Sequence, residues 1–251
     1  MKTAIIFAGF FRTFDYVKQT FADLVMNPLN CDIFFAAPHT MFALPENEIV
    51  ELHGIYSQNA NLVDPAWFGD RLKSFKLLEH NSQIYKDLII KHNISQVNAI
   101  GQHTWRILSY MHNISESVSV FKNYVMNNNV HYDLVILTRP DIKYYRPINV
   151  AALDMNKINF ALHSMVGGSL GTCSSAPSKS FNKPFNDQMV AGTQENILVY
   201  HNIYDSVLSY HKNEGVVFNS ETFWGVHCIR NGLDCVGKDF VLYELWRESK
   251  Y

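Results

Sequence analysis

The chain has 251 residues, of which 47% are hydrophobic, and 21 Lys and Arg stand against 23 Asp and Glu for a formal net charge of -2. That length and composition bury a sizeable core and exclude a disordered chain. The near-balanced charge, with no basic stripe, argues against nucleic acid as a main partner, and no apolar run approaches the roughly 20 residues of a membrane span.

Thr3 to Ala8 is a continuous apolar run that ends at Gly9, with a helical pattern beginning near Thr13. A buried strand, a glycine turn and a helix open a parallel α/β sheet. Arg12 and Asp15 follow closely and no small-x-small cleavage site appears, so the run reads as a strand and not as a leader. Phe14, Val17, Phe21 and Leu24 recur at helical spacing, and Asn27-Pro28 stops that helix. Cys31 to Ala37 reads as a second strand. Pro38 and Pro45 bracket a loop, and Glu46 to Asp64 reads as a short helix with a third strand at its end.

From Trp67 to about Asn129 the pattern is mainly helical. Leu72, Phe75, Leu78, Ile84, Leu88 and Ile89 mark one or two helices, and Trp105 to Val125 mark a long one. Asp133 to Thr138 is the clearest strand and leads into Arg139-Pro140-Asp141. A short strand follows at Lys157 to Leu162. Met165 to Phe185 reads as a structureless loop, of a length that often serves as a lid. Gln188 to Gly192 is an inner strand and Glu195 to His211 a helix. Ser220 to Asn231 is another helix with Ser220 as N-cap, and Phe240 to Trp246 is a closing strand. No repeat or linker divides the chain, which predicts one domain over 1–251. Cys31, Cys173, Cys228 and Cys235 form no Cys-x-x-Cys pair, which disfavours a zinc ribbon and fits a reduced, cytoplasmic setting.

Four segments carry residues suited to chemistry. Arg139 and Asp141 stand at the C-terminal end of a buried strand, where open α/β sheets bind ligands. There an Arg pairs with phosphate and a carboxylate holds a divalent cation; the alternative is a solvated strand end or a structural ion pair. Gly9, with Arg12 behind it, would let backbone N–H groups approach an anion at a helix start; the alternative is a plain strand–helix turn. Asp187 lies between the long loop and a strand and suits a base for an acceptor hydroxyl, or an Asx turn. Glu221 opens a helix, and His227 further along it reads as a core or surface histidine.

These segments occur in an order that resembles a group of small bacterial and large-DNA-virus glycosyltransferase-like proteins with a GT-A-type fold. The matching stretches are Gly9-Phe10-Phe11-Arg12-Thr13-Phe14, Asp32-Ile33-Phe34, Gln102 early in a long helix, Tyr132 to Asp141, Asp187 to Thr193, and Glu221. The resemblance implies a mostly parallel central sheet flanked by helices. It also implies transfer of a sugar from a nucleotide-sugar donor to a glycan or other hydroxyl acceptor, in the cytoplasm of a bacterial or virus-infected cell. Gly9, Arg12, Gln102, Arg139 and Asp141 would hold the donor, Asp141 a divalent cation (Mn²⁺ or Mg²⁺), and Asp187 and Glu221 would act on the acceptor. Arg139 stands where many such enzymes carry a first aspartate, which weakens the cation site. Two rival readings are a non-catalytic sugar-nucleotide-binding module and a nucleotidyltransferase; a dehydrogenase would need Gly-x-Gly-x-x-Gly, which the chain lacks.

Overall fold

The computed structural model describes residues 1–11, 13–38, 64–79, 81–98, 101–166, 169–172 and 186–245. Arg12, the bulk of the Glu46 to Asp64 stretch and the 173–185 part of the expected lid lie outside the described residues.

β1 (Thr3–Ala8) is buried along its whole length. Its residues alternate between two apolar layers: Ala4, Ile6 and Ala8 face one, Ile5 and Phe7 the other. β2 (Asp32–Pro38), β4 (Leu134–Thr138) and β9 (Met189–Gly192) split in the same way. This period-2 division of a continuous apolar run is what a strand covered on both faces requires. With β3 (Leu72–Leu78), β6 (Ile158–Ala161) and β10 (Cys235–Lys238) they form a seven-stranded sheet in the order β10-β6-β9-β4-β1-β2-β3. β9 pairs antiparallel with both β4 and β6, and the remaining pairings are parallel. The result is a mixed, largely parallel α/β sheet flanked by helices.

α1 (Phe14–Phe21) packs its Phe14, Val17 and Phe21 into the layer of Phe7, where ring centroids lie 4.9 Å (Phe7 to Phe21) and 5.8 Å (Phe7 to Phe14) apart. The helical path runs on through a π-turn to Leu29 and ends on left-handed Asn30, two residues beyond the Asn27-Pro28 stop that the sequence suggests. The opposite layer holds α2 (Ser82–Lys91) and α3 (Thr104–Asn128), together with α4 (Gln194–Leu198), α5 (Ile203–Glu214) and α6 (Ser220–Arg230). α3 is clasped to β2 by Ser117, whose Oγ accepts from the Ala36 N–H at 3.0 Å.

Several sequence expectations need correction. Leu72 to Leu78 is not helical; it is strand β3, at the sheet edge, with Phe75 44% and Leu77 43% exposed. The helix expected over Glu195 to His211 is broken by a 3-10 turn at Val199–Asn202. The expected closing strand is shorter: β11 (Tyr243–Leu245) pairs antiparallel with β5 (Ile142–Tyr144), and β10 precedes it. The start of the expected loop is a hairpin instead, β7 (His163–Val166) with β8 (Ser169–Thr172). No described helix is long and apolar enough to cross a membrane.

Candidate functional site

β1 and β4 lie side by side and parallel, with Phe7 opposite Thr138, so Gly9 and Arg139 emerge at the same edge. β9 runs the other way and places Met189 opposite Thr138. The reversed strand therefore delivers the residues before it, Asp187 and Gln188, to the edge where β4 ends. The join is direct: the Arg139 N–H donates to the Gln188 carbonyl at 3.2 Å. Asn186, buried, pins this turn by accepting from the Gln188 N–H at 2.7 Å while donating to the Ala161 carbonyl at 2.8 Å.

Gly9 takes φ of +121°, a region that disfavours side chains. A Cβ there would stand 3.8 Å from Pro140 Cδ and 3.9 Å from Tyr110 Cε2, so the turn sits against both.

Arg139 and Asp141 form a bidentate pair: Nε donates to Oδ1 at 2.8 Å and Nη2 to Oδ2 at 2.6 Å. Asp141 is 1% exposed and the Arg139 side chain 20%. Burial works against the guanidinium charge, but the Asp141 carboxylate outweighs it and lifts the Arg139 pKa above its usual value. The guanidinium lies 5.6 Å from the centroid of the Tyr110 ring.

Tyr110 comes from α3 and ties the cluster together. Its hydroxyl donates to the Asp187 carbonyl, and its ring stacks at 24° and 6.3 Å on Trp224 of α6. Burial first, then the negative charges of Asp187, Asp141 and Glu221, push its phenol well above the usual range, with Arg139 pulling the other way. Spacing along α3 makes Tyr110 look like any core aromatic, and no local signal marks it.

Asp187 and Glu221 meet through Ser220. The Ser220 Oγ lies 2.6 Å from Asp187 Oδ2, to which it donates, and 3.3 Å from Glu221 Oε2. The N-cap of α6 is Asn219, not Ser220: its Oδ1 accepts from the N–H groups of Glu221 at 2.9 Å and Thr222 at 3.3 Å. Burial and then the Asp187 charge raise Glu221 to about 7 from 4.5. The Glu221 carboxyl therefore sits beside a second carboxylate, Asp187, and can accept and hold a proton near neutrality. Among the described residues the Trp224 Nε1 and Gln188 Oε1 are buried with no hydrogen-bond partner.

Gln102 precedes α3 and does not ride on it. It is exposed and holds Asn98, whose Nδ2 also donates to the Phe218 carbonyl at 3.2 Å, just ahead of α6. Gln102 therefore reaches the cluster through the loop before Asn219, not by touching Arg139 or Asp141. His227 is a core histidine, 1% exposed, with Nδ1 2.9 Å from the Tyr210 hydroxyl and Nε2 2.9 Å from the Val199 carbonyl. A separate open cleft of ≈ 300 Å³, with Lys86, Gln96 and Trp105 on its walls, is lined by none of the cluster residues.

The described residues do not fit a divalent cation at Asp141. Both its carboxylate oxygens already accept from Arg139, and a hard cation needs several free oxygens. Among the described residues no three His, Cys, Asp or Glu side chains converge as a metal site. The geometry brings together Gly9, Arg139, Asp141, Asp187 and Glu221, and adds Tyr110, Ser220 and Trp224. Compared with known proteins, the chain matches no protein-family model and no curated protein sequence at a significant level.

Proposed function

We propose that this chain transfers a sugar from a nucleotide-sugar donor to a hydroxyl acceptor, on a GT-A-type fold. The observation that carries the reading is the meeting, at one sheet edge, of a glycine turn, an arginine and a pair of carboxylates bridged by a serine hydroxyl. The sheet supports it: a largely parallel sheet flanked by helices is what the resemblance implies.

The chain's own groups divide the work. The acceptor hydroxyl must lose a proton as it attacks the anomeric carbon, and the Asp187 and Glu221 pair is placed to take it, with Ser220 orienting Asp187. The departing nucleoside diphosphate gathers negative charge, which backbone N–H groups near Gly9 and the free N–H edge of Arg139 offset. Asp141 holds Arg139 in one orientation, so the cation is fixed before donor arrives. Arg12, three residues past Gly9, belongs to the same reading through the sequence.

A donor-binding module without turnover is the second reading. It is favoured by the commitment of the Arg139 Nε and Nη2 to Asp141, which leaves less of the guanidinium for a leaving group.

A thermal-shift screen against uridine, guanosine and cytidine nucleotide sugars, with and without Mn²⁺, separates these readings when coupled to a donor-hydrolysis assay. A transferase gives both a raised melting temperature and nucleotide release. A binding module gives the shift alone. Stabilisation by nucleoside triphosphates but by no sugar nucleotide would overturn both and favour a nucleotidyltransferase.

A further inference from the structure

Cys228 lies near the C-terminal end of α6, and Cys235 opens β10. Between them the chain reverses tightly. The Leu233 N–H donates to the Cys228 carbonyl at 3.2 Å, the Gly232 N–H to the Ile229 carbonyl at 3.0 Å, and Gly232 takes φ of +76°. This helix ending sends the strand back beside the helix. It brings the two sulfurs to 3.0 Å, with Cys228 0% and Cys235 5% exposed. A disulfide has an S–S bond of about 2.05 Å, so roughly one ångström of movement separates the thiol pair from the bond.

We propose that Cys228 and Cys235 are a redox-active dithiol, the site of an intramolecular disulfide formed by exchange with a low-molecular-weight disulfide such as oxidised glutathione. Cys235, the less buried of the two residues, gives up its proton and attacks one sulfur of the small disulfide. A mixed disulfide forms and one small thiolate leaves, taking up a proton. Cys228 then loses its proton, attacks the Cys235 sulfur and expels the second small thiolate. Two protein thiols are oxidised, and one small disulfide is reduced to two thiols.

The structure gives the bond a consequence. β10 is a strand of four residues at the end of the described sheet, paired there with β6. α6 carries Ser220, Glu221 and Trp224 at its other end. A disulfide would staple that helix to the sheet edge. The hydrogen bond from Cys235, and then burial, hold the Cys228 thiol well above its usual pKa. Exchange is therefore slow, and the bond once made is a resident cross-link instead of a rapid switch. This inference is independent of sugar transfer.

The test incubates the full chain in glutathione buffers graded from reduced to oxidised, quenches with acid, alkylates after unfolding, and maps peptides by mass spectrometry. The expected result is loss of about 2 Da across the peptides carrying Cys228 and Cys235, with both left unalkylated, Cys31 still alkylated, and reversal by dithiothreitol. The oxidised chain should melt several degrees higher, and Cys235→Ser, its fold checked by circular dichroism, should lose both the mass change and the shift. Full alkylation of both sulfurs in the most oxidised buffer, glutathione retained on one sulfur without ring closure, or a cross-link through Cys31 or Cys173 would each overturn the proposal. An oxidised form that melts no higher than the reduced one would overturn the staple.

Discussion

Arg139 and Asp141 stand two residues apart at one strand end, and their pairing changes what each substitution tests. Asp141→Asn keeps the size but leaves the guanidinium without its counter-charge. Breaking a buried pair from one side costs about 3–5 kcal/mol, and the partial exposure of Arg139 lowers the expectation to about 2–4 kcal/mol. Urea melts of Asp141→Asn and Arg139→Ala should both show a loss of that order, so activity must be measured below the shifted melting temperature. A variant as stable as the parent would mean that the pair is not formed in solution. Glu221 gives a second expectation. Its pKa is about 7 in the folded chain against 4.5 ordinarily, so between these values the folded state holds more protons than the unfolded one. Stability from this group is complete below the lower value and is lost as pH rises through the higher one. The loss is on the order of 1–3 kcal/mol, and Glu221→Gln should flatten the stability profile between about pH 4.5 and pH 7. Sugar transfer should rise as pH passes through the Glu221 value, where its carboxylate becomes free to accept a proton. An unchanged slope in the glutamine variant would remove Glu221 from the account.

At the scale of elements, the site depends on how strands and helices end. Gly9→Ala meets no atom closer than 3.8 Å, so sterics alone would permit it, but φ of +121° does not. The expected cost is about 1–2 kcal/mol of backbone strain, read as a lower melting temperature with β1 itself unaltered. Strands buried on both faces were legible as continuous apolar runs, which is why β1 and β4 could be read directly. β3 was not, because an edge strand need not be buried on either face. Leu72, Phe75 and Leu78 fall three residues apart, and that spacing mimics a helix when half the strand is exposed. The site residues at strand and helix ends were legible as types suited to the chemistry. Their pairings were legible only in part: the Arg139–Asp141 ion pair stood as one alternative, but Ser220 bridging Asp187 to Glu221 depends on α6 docking against the turn before β9. Tyr110 had no signal at all, because a tyrosine at core spacing on a long helix is ordinary until the helix is seen passing beneath the cluster.

Across the whole molecule, the sheet interleaves early and late parts of the chain. β4 sits between β1 from the beginning and β9 from the later half, and β6, on the far side of β9, supports β10. Neither half can keep its side of the sheet without exposing the apolar faces of β1 or β4, which are buried throughout. The expectation is one cooperative transition, with no separate melting of an N-terminal unit. Two tryptophans report from opposite layers: Trp67 packs beside Phe14 and Phe68 in one, and Trp224 beside Tyr110 and Tyr200 in the other. Variants retaining only one of these tryptophans should give coincident urea transitions by fluorescence, matching far-UV circular dichroism. Phe7→Ala then supplies the decisive comparison. Phe7 is 1% exposed and touches the rings of Phe11, Phe14, Phe21 and Phe68, so its removal should cost about 3–5 kcal/mol. In one cooperative unit that cost shifts the Trp224 transition as much as the Trp67 transition, although Phe7 lies in the layer opposite Trp224. A Trp224 midpoint that stays in place while the Trp67 midpoint falls would show that the two layers melt independently, and would divide the chain where the sheet appears continuous.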